Sequence, residues 1–352
     1  MVPTLQLDLG IAERALPRSR AYPRLRYMGS KYKVIPHLSR IFSRLEFSRA
    51  LDAFSGSGVV GYALKEMGVE VVTNDFLSFP STVARALVEN QEATLNPADI
   101  ASLLAPNADG RDFIQRTFNG LYFPAEDHAF LDSVWSHLHT LPPYKRAVAI
   151  SALCLAAARK QPRGVFTVTD FRYDDGRKSL RTPLREQFVT AVADYNSAVF
   201  DNGKRNQARC GDVFDLDPDG FDLVYLDPPY APPKDDNDYI KRYHFLEGLS
   251  VYWEGQTIMQ HTATKKIEKK HTPFGSKRTI REALRATFNH FRRGTLVLSY
   301  SSNSVPGPDE IMSLLRAEKA HVDVYSIPHT YSFGTHAAAQ RRSVDEYIFV
   351  AR

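Results

Sequence analysis

The spacing of apolar positions changes period several times along the chain, and each change marks an element. Val34, Ile35, Leu38, Ile41, Phe42 and Leu45 recur at three- and four-residue steps, which predicts a helix over residues 32–47. ALDAF then reads as a buried strand, SGSG as a tight turn, VVGYALKEMG as a helix closed by Gly68, and VEVVTNDF as a second apolar strand. Strand, glycine turn, helix, strand is a βαβ unit and implies a parallel sheet. Residues 80–205 are mostly helical in pattern, clearest in ALVENQEATL and YKRAVAISALCLAAARK. Within them QPRGVFTVTDFRYDDGRKSLRTP reads as a basic β-hairpin or loop. The sheet resumes at RCGDVFDL and FDLVYLDPPY. TIREALRATFNHF is a helix, and TLVLSYSS, HVDVYSIPH and DEYIFVAR are strands.

The pattern predicts an α/β protein whose sheet domain spans residues 24–80 and 206–352. A mostly helical module, residues 81–205, interrupts it, and residues 1–23 form a loosely ordered leader. The 352-residue length suits one large domain with an insertion or two domains. Hydrophobic residues at 43% and charged residues at 24% exclude a disordered or collagenous chain. Two cysteines, Cys154 and Cys210, exclude a disulfide-stapled fold and a cysteine-based zinc site, and fit a reducing compartment. Cys154 lies in an apolar helix and reads as core. Apolar runs are too short to span a bilayer, and the first residues lack a signal peptide's pattern. The expectation is a soluble, cytoplasmic protein without membrane or metal partners.

Gly56, Gly58 and Gly61 spell GxGxxG between strand and helix, with Asp75 near the end of the next strand, ~20 residues on. Glycines let backbone approach a ligand, and the acid accepts from ribose hydroxyls. Both dinucleotides and S-adenosylmethionine (SAM) satisfy this arrangement. Asp52, at the start of the turn, would repel a pyrophosphate but attract an ammonium group, which favours SAM.

FDLVYLDPPY is the most informative string. The strand runs into Asp227, Pro228, Pro229 and Tyr230. Two prolines stiffen the exit and remove two amide donors. Asp227 and the Pro228 carbonyl then offer two acceptors for the hydrogens of an exocyclic amino group, and Tyr230 offers a face for a base to stack on, worth ~1–3 kcal/mol.

With these motifs in hand, the chain resembles the Dam-like (D12, or alpha) class of adenine-specific DNA methyltransferases. The elements arrive in that class's order: RYMGSK, FSGSG, Asp75, a recognition module, Asp212, then DPPY. The resemblance implies a Rossmann-like SAM-dependent sheet with an inserted target-recognition module. It implies that Tyr27, Gly29, Lys31, Phe54, Gly56 and Gly58 lie against SAM, with Asp75 at its ribose and Asp212 at its adenine amino group. Ser30 replaces a glycine common in the class, and Tyr27 replaces a tryptophan. Asp227, Pro228, Pro229 and Tyr230 would form the catalytic tetrad, acting on an adenine flipped out of duplex DNA by direct in-line transfer to N6.

Lysines and arginines number 45 against 40 acids, so the formal charge is 45 − 40 = +5, but the bases cluster. A first group, Arg14 to Arg40, includes Lys31. A second contains Arg163, Arg172, Arg177, Lys178 and Arg181, interleaved with Phe166, Phe171 and Tyr173, and reads as the recognition hairpin. A third, Lys265, Lys266, Lys269, Lys270 and Lys277, reads as a phosphate-clamping loop. Rival readings are an RNA adenine methyltransferase, a NAD-dependent dehydrogenase, which leaves DPPY unused, and an inactive SAM- or DNA-binding regulator. A cognate restriction endonuclease is a possible partner.

Overall fold

Along each central strand, successive side chains point to opposite faces of the sheet, and here both sets are apolar, so both faces must be covered. The computed structural model describes residues 17–229, 239–331 and 342–352. Its strands are β1 (Arg49–Asp52), β2 (Glu70–Asp75), β3 (Gln207–Cys210), β4 (Leu223–Leu226), β5 (Thr295–Ser301), β6 (Val322–Tyr331) and β7 (Arg342–Ala351). They form one seven-stranded sheet in the order β3-β2-β1-β4-β5-β7-β6. β1 to β5 are parallel, and β7 runs antiparallel between β5 and β6.

The helices are α1 (Pro17–Arg20), α2 (Ile35–Phe42), α3 (Val59–Glu66), α4 (Ser78–Ala84), α5 (Pro97–Leu103), α6 (Phe113–Thr117) and α7 (Ala125–Leu138). After them come α8 (Pro143–Arg159), α9 (Lys178–Arg181), α10 (Leu184–Ala198), α11 (Tyr239–Val251), α12 (Ile280–His290) and α13 (Pro308–Arg316). Ala50, Leu223, Tyr225 and Val297 join a core with α2, α3, α4, α8, α10 and α11. Leu51, Val224, Leu226 and Leu298 join a second core under α12 and α13. On α12, Ile280, Leu284 and Phe288 are buried, each contributing about 1.5–3 kcal/mol. The result is three layers, helix, sheet, helix.

Several expected elements are shortened by tertiary contacts. The first helix is a 3₁₀ turn at Lys31–Lys33 followed by α2, not a run to residue 47. The helix expected over ALVENQEATL ends early: α4 continues as a π-helical turn, Arg85–Glu89, and stops at Asn90, whose backbone is extended. The buried Lys65 ammonium donates to the carbonyls of Leu87 (3.0 Å) and Asn90 (2.7 Å), satisfying that end. Residues 161–183 contain no strand, so of the hairpin or loop expected there the loop forms, with a 3₁₀ turn, Pro162–Gly164, and α9. Residues 17–22 are tied to α3: the Arg18 and Ser19 amides each donate to Glu66, at 2.8 Å, and Tyr22 is buried.

The chain steps from β1 to β2 and β3 on one side, then returns to β4 on the other. The carboxyl ends of β1 and β4 therefore face a crevice where the strand order reverses, the usual ligand position in such sheets.

Candidate active site

The crevice is a cavity bordered by the RYMGSK loop, the glycine turn, the ends of β2 and β4, Asp212 and residues 269–276. Its shape follows from the glycines. Gly56 has φ +47°, and a β-carbon there would meet the Tyr27 ring at 2.8 Å. Tyr27 can thus lie on the turn, and its other contacts fix it: its ring stacks on Tyr243 at 4.9 Å and 13°. Gly61 serves packing, because a β-carbon would lie 2.6 Å from Thr73 of β2. Gly58 (φ +77°) leaves room for the Tyr22 hydroxyl, which donates to the Ser57 carbonyl at 2.6 Å.

Three carboxylates converge. Asp52 ends β1 and is 1% exposed. Its Oδ2 accepts from the Gly61 amide at 2.9 Å, while Oδ1 is buried without a hydrogen-bond partner among the described residues. Burial pushes this carboxyl up to about 8; the Gly61 bond and Lys31 oppose, and Asp227 and Asp75 add to the rise. Asp75 ends β2 and accepts from the amides of Gly56 (2.8 Å) and Leu77 (2.9 Å). Burial outweighs those bonds and raises it to about 6. Asp227 follows β4. Lys31 Nζ lies 2.7 and 2.6 Å from its two oxygens and 2.9 Å from the Gly29 carbonyl. Burial raises Asp227 to about 6, with Lys31 opposing and Glu346 adding.

Tyr27, Gly29, Lys31, Asp52, Phe54, Gly56, Asp75, Asp212, Asp227 and Pro229 all border this one cavity. Gly58 and Pro228 are buried and are not among the residues that line it. Phe54 meets Phe274 edge-on at 5.0 Å. Asp212 is exposed and accepts from the Phe214 amide at 3.0 Å. Tyr230 lies outside the described residues. Lys31, which borders the cavity, was also counted with the basic surface, but it is 4% exposed and pairs with Asp227.

The cavity also uses residues that motif reading passed over. Phe76, 37% exposed, and Tyr239 border it. Tyr239 and Tyr243 are one helical turn apart on α11, an i,i+4 aromatic pair that was the available signal. The Tyr243 hydroxyl accepts from the Met28 amide at 2.7 Å, locking the RYMGSK loop. Glu247 of α11, fully buried, accepts from the Ser78 and Phe79 amides and pairs with Lys270 at 2.8 Å.

The basic clusters are placed unequally. Arg172, Arg177 and Arg181 pair with Asp170, Asp175 and Asp174 of their own loop. Arg163 and Lys178 are exposed. Phe166 is not a groove-facing ring: it is fully buried and stacks on Phe245 at 4.7 Å. Phe171 is 42% exposed. In the third cluster, Lys269 and Lys270 border the cavity, Lys265 donates to Gln260, Lys266 is half-buried and Lys277 is exposed. The two basic loops share an anchor. The Phe166 amide donates to Arg242 of α11, and Tyr122, held by Gln161, donates to the Thr264 carbonyl at 2.6 Å.

Comparison with known proteins agrees with this geometry. The chain is similar to the Type II methyltransferase M2.HphI of Haemophilus parahaemolyticus, 28% identical over 325 residues, covering 88% of this chain and 92% of the relative. It is also similar to the Type II methyltransferase M.FokI of Planomicrobium okeanokoites, 22% identical over 361 residues, covering 92% of this chain and 52% of that longer protein. Residues 27–296, from the loop that carries Tyr27 through the start of β5, match the model of the D12 class N6 adenine-specific DNA methyltransferases, and the chain belongs to that family.

Proposed function

We propose that this chain transfers a methyl group from SAM to N6 of an adenine flipped out of duplex DNA, with Asp227 and the Pro228 carbonyl holding the amino group. The observation that carries this reading is the convergence of the RYMGSK loop, the glycine turn, Asp75 and Asp227 on one cavity at the strand-order reversal. The residues fit SAM. The unpartnered buried Oδ1 of Asp52 suits its ammonium or sulfonium charge, and the glycine at 56 keeps the turn open to a ligand. Asp75 would hold the ribose, and Phe54, Phe76 and Tyr27 supply apolar and aromatic walls. Bound SAM supplies an electrophilic methyl on a cationic sulfur.

The chain's own task is to make a weak nucleophile competent. The lone pair of the adenine amino nitrogen is delocalised into the ring. Accepting its hydrogens at Asp227 and at the Pro228 carbonyl favours a pyramidal nitrogen whose lone pair points at the methyl. This work is positioning and electrostatics. Flipping the base costs a few kcal/mol, partly offset by stacking on Tyr230. Arg163, Lys178 and Lys277, on the anchored loops, are the candidate phosphate contacts. Tritiated SAM with duplex DNA should place label on N6-methyladenine, and the near-isosteric Asp227→Asn should remove it while the variant still unfolds cooperatively in a thermal melt. Label on RNA alone would overturn the duplex-DNA reading.

A further inference from the structure

Beside Lys31, and behind the residues that line the cavity, lies a buried charged group that this scheme leaves unused. Glu346 enters from β7, opposite Ser301 of β5 and Ile327 of β6. It is 2% exposed, and neither oxygen accepts a hydrogen bond from a described residue. Lys31 Nζ lies 3.4 Å from its Oε1, an ion pair without hydrogen-bond geometry. Burying a carboxylate so poorly satisfied is unfavourable unless a function uses it.

Lys31 meanwhile occupies the acceptor that the substrate needs. Its ammonium spans both Asp227 oxygens, at 2.7 and 2.6 Å. An ammonium there weakens Asp227 as an acceptor and sets a positive charge beside a nitrogen that turns positive as the methyl arrives.

We propose that Glu346 is a positioning residue, a standby counter-ion that takes the Lys31 ammonium when the target amino group claims Asp227. From 3.4 Å, a small swing of the flexible lysine reaches hydrogen-bond range of Glu346 without leaving the Gly29 carbonyl. Glu346 also sets the charge of the cluster around Lys31. One ammonium against two carboxylates sums to 1 − 2 = −1, which suits a cationic donor, whereas Lys31 and Asp227 alone sum to zero. The proposal rests on the role of Asp227 given above.

Among the described residues, the titratable groups around Asp227 are Lys31 from its loop, Glu346 from β7, Asp52 from β1, and the hydroxyls of Tyr27, Tyr225 and Tyr239. Of these, Glu346 raises the Asp227 carboxyl and Lys31 lowers it. The full chain carrying Glu346→Gln is therefore assayed with SAM and DNA. The Asp227 carboxyl carbon is also titrated by ¹³C NMR in the ligand-free protein, assigned by its loss in Asp227→Asn. An indirect group should weigh less than the ~10²–10³ of a direct transition-state donor, so kcat should fall about tenfold with both KM values within about twofold. The acid limb of kcat/KM and the Asp227 titration should both move to lower pH. Glu346→Asp should recover part of kcat. Wild-type kcat in Glu346→Gln, or an unmoved Asp227 titration, overturns the proposal. Should Glu346→Gln fail to fold, wild-type kcat in Glu346→Asp overturns it equally. Undiminished transfer by Asp227→Asn would instead remove the underlying reading of Asp227.

Discussion

With Asp52 facing the cationic cofactor, as proposed above, cofactor binding becomes a protonation event. Its carboxyl is pushed up to about 8 by burial, so at pH 7 only about one protein in ten holds it ionised. A cationic ligand needs the ionised form, and ionising the group at pH 7 takes about 1.4 kcal/mol from the binding energy. The sign follows: below pH 8 binding expels a proton, so the Kd for SAM should fall up to tenfold for each unit that pH rises, levelling off near 8. Asp75 and Asp227, each raised to about 6, are already mostly ionised at neutral pH and add little above it. Titration calorimetry at several pH values from about 6.5 to 8.5, in buffers of different ionisation enthalpy, counts the proton directly. Asp52→Asn should flatten the dependence. Because the ligand's own amine titrates in this range, the difference between wild type and variant is the quantity to read. If both proteins show the same pH dependence and the same proton release, the reasoning about Asp52 is wrong.

Other expectations follow from single contacts. Gly56→Ala should lower stability by about 1–2 kcal/mol from its left-handed backbone, seen in thermal melts. It should also weaken SAM binding, because Tyr27 must leave the turn. Lys270→Ala leaves the fully buried Glu247 with only its two amide donors and should destabilise by about 1–3 kcal/mol, measured by urea unfolding. Lys178→Ala should lower affinity for duplex DNA of any sequence and reduce the salt slope by about 0.9, in fluorescence anisotropy across salt concentrations. An unchanged slope would remove Lys178 from the phosphate contacts.

Local signals in the sequence proved readable where the structure is itself local. The turn at Gly56 to Gly61 and the acids ending β1 and β2 sit within one βαβ unit, and the strand before Asp227 is a continuous apolar run. Long-range pairing was not readable. Lys31 and Asp227 are 196 residues apart and Met28 and Tyr243 are 215 apart, so no spacing announces either contact. Glu247 and Glu346 look like ordinary surface acids until the fold buries them. Phe166 misled for a related reason: an aromatic among arginines reads alike whether it faces a groove or stacks on Phe245 in the core. The alternating VFTVTD segment has strand propensity, but its edges are taken up by Arg242, Tyr122 and the turn at Gly164, and tertiary contacts win.

The placement of β7 has a consequence for biosynthesis. Residues 342–351 fill the slot between β5 and β6, and they deliver Glu346 to the ion cluster from the far end of the chain. A nascent chain that has emerged through β6 therefore exposes two unpaired strand edges beside an incomplete charge site. It would already carry Asp227 and the glycine turn, yet lack the second carboxylate beside Lys31. Synthesis of residues 342–351 is then the step that closes the sheet and completes the site together, so a prematurely terminated chain should be silent on DNA rather than partly active.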